Sequence, residues 1–178
     1  LAVGGTTPSY GVIEEAAKYV AESKTTLAVM IRPRGGNFVY NSHELKIIET
    51  DTLKAVEAGA QNIVFGALTP GNEIDTDALE TVSIAAQGLP ITFHMAFDEV
   101  TDQEKAIDQL VEFGVDKILT HGGPLDQPLN TDKLKSLIDY AKGKINIIIG
   151  GGVNAENFEN LAQLTGTNYV HGTKIIKL

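Results

Sequence analysis

The chain alternates short apolar runs with longer stretches in which apolar residues recur every three or four positions. Six runs read as buried strands: Leu27–Ile31, Asn62–Phe65, Pro90–His94, Lys117–Thr120, Ile145–Ile149 and Asn168–His171. Each is short, apolar and partly β-branched, as expected of strands covered on both faces. Helices are predicted near Ser9–Glu22, His43–Ala58, Asp77–Gln87, Asp102–Phe113, Asp132–Lys142 and Ala155–Leu164. In the second of these, Leu45, Ile48, Leu53 and Val56 fall near helical spacing. Helix starts are marked by Thr7-Pro8, by the capping-box spacings Asn41…Glu44 and Thr101…Glu104, and by Asn154 before the last helix. Gly59, Gly88 and Gly114 follow helix ends.

Strand-to-strand spacing matches a strand plus its crossover helix. A regular βα repeat means a parallel sheet, doubly wound or closed into a barrel. Glycine-rich turns follow several strands, and no G-x-G-x-x-G follows the first. Both observations favour a (β/α)8 TIM-type parallel barrel. Such a barrel has eight strands, whereas six are visible, and Val3-Gly4-Gly5-Thr6-Thr7-Pro8 reads as the turn after an absent strand. The expectation is therefore one barrel domain over residues 1–178, lacking its first two strands.

Composition narrows the partners. A net charge of −9 argues against nucleic acid and anionic membranes. No apolar run reaches the ~20 residues that span a bilayer. Zero cysteines exclude a disulfide framework and any thiolate metal site. A local basic pocket on an acidic body suits a small anionic ligand.

The candidate chemistry gathers at strand carboxyl ends. Arg32-Pro33-Arg34-Gly35-Gly36 closes the first apolar run. Pro33 keeps Arg32 extended, so Arg32 and Arg34 share a face; Gly35 and Gly36 permit a turn that exposes backbone amides. Fixed positive charge with open N–H groups predicts anion binding. In Thr92-Phe93-His94-Met95-Ala96-Phe97-Asp98, His94 and Asp98 are candidate acid/base catalysts. These four side chains are expected to converge in one cleft. His121, in Thr120-His121-Gly122-Gly123, is a candidate ligand contact expected in a solvent-exposed turn. Gly150-Gly151-Gly152 and His171-Gly172 follow the last two strands, where α/β barrels hold phosphate on backbone amides. Gly151, Gly152, His171 and Gly172 are therefore assigned to ligand binding. Tyr40 reads as a loop packing residue.

Arg32-Pro33-Arg34-Gly35-Gly36-Asn37-Phe38-Val39-Tyr40, Thr92–Asp98, Gly4–Ser9 and the Gly150–Gly152 turn resemble the CutC family of copper-homeostasis proteins, in order and over essentially the whole chain. The resemblance implies a cytoplasmic (β/α)8 barrel, a homo-oligomer (dimer or tetramer) and a role in copper binding or tolerance. This chain departs from the family in lacking cysteine: Val39 stands where relatives often carry one, and Met95 where many carry a basic residue. Copper(I) prefers sulfur, and only Met30 and Met95 offer it here. Weak copper binding is expected, with no metal ligands assigned. The alternative is a barrel enzyme with an arginine clamp and a His94/Asp98 acid–base pair acting on a small anionic, phosphorylated substrate.

Overall fold

A computed structural model describes residues 4–176; Val3 of the opening glycine-rich loop lies outside them. Helices and strands alternate as the sequence predicts: α1 (Tyr10–Val20), β1 (Ala28–Met30), α2 (Ser42–Glu57), β2 (Asn62–Phe65), α3 (Thr76–Ala85), β3 (Ile91–Phe93), α4 (Gln103–Glu112), β4 (Lys117–Thr120), α5 (Thr131–Ala141), β5 (Asn146–Ile149), α6 (Phe158–Thr165) and β6 (Tyr169–Val170). The chain divides into two compact units, Leu1–Thr92 and Phe93–Leu178.

In the first unit β1 and β2 pair in parallel, with Val29 opposite Ile63. Val29, Ile63 and Phe65 are buried, as are Ile48 and Ala55 of α2 and Leu79 and Val82 of α3. The Asn41 side chain accepts the amides of His43 and Glu44, and Glu44 reaches back to the Asn41 amide at 2.9 Å, completing the expected capping box. Thr7 does not cap α1, whose N-cap is Ser9. Its hydroxyl instead accepts the Arg32 amide at 2.9 Å, and its own amide donates to the Arg32 carbonyl at 2.9 Å. The opening loop is thereby tied to the end of β1.

In the second unit β4, β5 and β6 run parallel in that order, with Ile118 opposite Ile147 and Ile149 opposite Val170. Leu134, Ile149, Val153 and Leu161 form a buried cluster that Phe158 and Ile175 pack against. Burying side chains of this size contributes ~1.5–3 kcal/mol each. One short element is added to those predicted, and two local expectations are corrected. A 3-10 turn over Met95–Glu99 follows β3, and His94 caps it, its Nδ1 accepting the Ala96 amide at 3.1 Å. Asp102, not Thr101, caps α4 by accepting the Lys105 amide at 3.0 Å. The last helix starts at Phe158 because Asn154 accepts the amides of Glu156 (2.8 Å) and Asn157 (3.2 Å), making a turn ahead of the helix.

Because Asn41 supplies two amides of α2 with an acceptor, Asn41→Ala should lower the unfolding free energy by about 1 kcal/mol. Urea denaturation reads this; a loss below a few tenths would show that the capping box contributes little.

Candidate anion site

Arg32 and Arg34 belong to the first unit, and their hydrogen bonds decide what each can do. Arg34 Nε donates to Glu44 Oε1 at 2.5 Å, and Nη2 donates to Glu44 Oε2 at 3.3 Å. Its remaining N–H groups reach the carbonyls of Gly35 (3.2 Å), Asn37 (2.8 Å) and Val39 (2.8 Å) and the Asn37 side chain (3.3 Å). The guanidinium also lies 5.1 Å from the centre of the Tyr40 ring. Glu44 raises the Arg34 pKa, and Arg34 lowers that of Glu44. A guanidinium has five N–H donors, and the loop and α2 occupy all of them. Arg34 therefore fastens the loop to the start of α2 and has none left for an anion. Arg32 is buried; it donates to the carbonyls of Gly5 (3.3 Å) and Gly36 (2.6 Å) and lies over Phe38. Gly35 and Gly36 thus turn carbonyls toward the two arginines. Tyr40 is buried among these groups, and burial pushes its phenol pKa up.

His94 and Asp98 lie in the second unit. The expected dyad is corrected: His94 Nδ1 takes the Ala96 amide, a donor, and the Asp98 carboxylate serves the turn after β4. Asp98 Oδ1 accepts the Thr120 hydroxyl (2.5 Å) and the amides of Gly122 (3.0 Å) and Gly123 (3.2 Å); Oδ2 accepts the His121 amide (2.9 Å). His121 is buried, not exposed as expected. Its Nδ1 faces the carbonyls of Gly150 (3.1 Å) and Gly151 (3.2 Å), and its Nε2 faces the Gln127 carbonyl (2.9 Å). The ring is a strut that fixes the Gly150–Gly151 turn.

That turn borders a cavity of about 460 Å³ within the second unit. Four residues assigned from the sequence, Gly151, Gly152, His171 and Gly172, meet on its wall. The Gly150 amide is paired with the Thr120 carbonyl at 2.9 Å. The amides of Gly151, Gly152 and Gly172 have no hydrogen-bond acceptor among the described residues. Two glycines are required here. Gly151 sits at φ +77°, where a Cβ would also come within 2.6 Å of His121 Nδ1; at Gly172 a Cβ would run into the Val153 carbonyl. Five wall residues were not assigned to the site from the sequence: Met95, Val153, Asn154, Thr173 and Lys174. Lys174 is the only basic residue in the segment after His171 that reaches the wall, and it forms no ion pair among the described residues. Met95 supplies an apolar face. The available signal was the lysine two residues beyond the last glycine turn.

Among the described residues no group of three or more His, Cys, Asp or Glu side chains is placed to hold a metal ion, and carbonyls lie beside both ring nitrogens of His121.

Burial pushes the Asp98 carboxyl above its ordinary 3.8, against the Thr120 hydroxyl and the three amides that favour the charged form. Folding therefore takes up a proton just above pH 3.8. The stability this proton confers is complete below that pH and is lost as pH rises through the folded-state pKa. Asp98→Ala should flatten the stability–pH curve in that window. At neutral pH it should cost about 1–3 kcal/mol by stranding the turn amides. Urea midpoints from below pH 3.8 to neutrality measure both, and an unchanged slope would refute the assignment.

The CutC family model matches residues 1–176. A CutC family protein of Streptococcus pyogenes is 59% identical over 180 residues, covering 99% of this chain and 86% of its own. The crystal structure of CutC from Streptococcus agalactiae, named for copper homeostasis, superposes with a TM-score of 0.96 at 53% identity, covering 99% of this chain and 86% of that one. The aldolase QR15 superposes at 0.69 with 17% identity, over 90% of this chain and 73% of its own, a likeness that concerns the TIM-like α/β fold alone. No helix among the described residues is long and apolar enough to cross a membrane. Motifs, matched length and superposition agree, and the chain belongs to the CutC family.

Proposed function

We propose that this chain serves copper homeostasis, the process for which its S. agalactiae relative is named, by binding a small anion and not by holding copper(I) tightly. The observation that carries the reading is the cavity edged by the amides of Gly151, Gly152 and Gly172 with Lys174 beside them. Backbone N–H groups at the carboxyl ends of β5 and β6 supply fixed partial positive charge, and the lysine adds a full one. A phosphate needs several such donors at once. The cytoplasm and a homo-oligomeric state belong to the same reading, as does an eight-stranded form of the barrel.

An enzymatic version of the site would need a proton-transfer group other than Asp98 and Arg34, which are engaged elsewhere. The cavity favours anion binding as the primary property, with or without turnover.

Isothermal titration with inorganic phosphate should show a single site whose affinity falls as salt is added, because exposed charges are screened. Absence of binding at low salt would sink the reading. In parallel, competition against a cuprous chelator should show no high-affinity copper(I) site. Cuprous sites favour sulfur; this chain offers no cysteine, and its two methionines stand at 30 and 95. Stoichiometric retention of copper(I) would restore direct metal binding as the function.

A further inference from the structure

The cavity is larger than an inorganic anion requires, and its remaining wall indicates what else it holds. A volume of about 460 Å³ lies in the ~300–1,000 Å³ range of pockets that take whole small molecules. A tetrahedral oxyanion seated on the Gly151, Gly152 and Gly172 amides would leave most of that space to water. His171, Thr173 and Asn154 also line the cavity, and they carry an imidazole ring, a hydroxyl and a side-chain amide nitrogen. None of these three makes a hydrogen bond with another described residue. The Asn154 oxygen, in contrast, is engaged by the amides of Glu156 and Asn157, which leaves its nitrogen end as the free donor. Met95 and Val153 add apolar lining.

We infer that the site binds a small phosphorylated polyol, such as a sugar phosphate, with its phosphate on the glycine amides and Lys174 and its hydroxyls on His171, Thr173 and Asn154. This rests on the anion reading above and assigns it a ligand class. Amides and a lysine together match a dianionic phosphomonoester. Three unengaged polar side chains of mixed donor and acceptor character match hydroxyl groups, which both donate and accept. Met95 then covers the carbon skeleton. Lys174 is exposed and makes no ion pair among the described residues, so replacing it leaves no buried partner stranded.

The test is calorimetry with inorganic phosphate, glycerol 3-phosphate and glycerol on the full chain. Glycerol 3-phosphate should bind at least about tenfold more tightly than inorganic phosphate, and glycerol should give no signal. Lys174→Gln should weaken both phosphate probes by about tenfold without moving the Tm, since the exposed side chain makes no hydrogen bond or ion pair among the described residues and the backbone bond from the Ala155 amide to the residue 174 carbonyl is kept. Thr173→Val should reduce the preference for the ester while leaving inorganic phosphate unchanged. Inorganic phosphate binding as tightly as the ester would overturn the polyol assignment and leave the anion reading intact. Failure of both phosphate probes would overturn the two together. An unaltered affinity in Lys174→Gln would remove the lysine from the site.

Discussion

The Asp98 carboxylate gathers one hydroxyl and three backbone amides from the turn after β4. The end of a parallel strand leaves such amides without ladder partners, and water or a side chain must satisfy them. Here a partly buried carboxylate does so, at the cost of its own hydration. Two consequences propagate from this. The turn is held so that His121 enters the interior, and His121 in turn fixes the Gly150–Gly151 carbonyls. With the carbonyls held on one side of that turn, Gly151 and Gly152 line the cavity, and their amides have no acceptor among the described residues. The shape of the candidate site depends on a residue that does not line it.

The parts that local physics dictates were legible in the sequence. Apolar period located the strands, glycine placement located the turns, and the Asn41…Glu44 spacing marked the α2 cap. Gly151, Gly152, His171 and Gly172 line one cavity because β5 and β6 are neighbouring parallel strands whose ends lie side by side. Side-chain partners were not legible. Asp98 was paired with His94 on sequence proximity, yet its hydrogen bonds reach 22 to 25 residues along the chain. His121 was assigned to solvent because it precedes two glycines, which says nothing about whether carbonyls await its ring. Lys174 was passed over because one lysine in an acidic chain carries no pattern; only the cavity distinguishes it.

Family membership and site chemistry constrain different things. The family fixes the fold and the order of the motifs, whereas the donors present in this chain decide which ligands it can hold. Sulfur is confined to Met30 and Met95, while a lysine and three glycine amides without an acceptor among the described residues belong to residues that line one cavity.

The bonding of Arg34 bears on how the family motif is to be interpreted in other sequences. Its planar fork meets a carboxylate, three carbonyls and a side-chain amide at once. An ammonium on a flexible stem, with three donors, cannot reproduce that set. Exchange for lysine would preserve the charge and still release the loop from α2. The second arginine of R-P-R-G-G is thus a marker of how the chain is folded. A distant sequence that retains it gives evidence of shared architecture and none of a shared ligand.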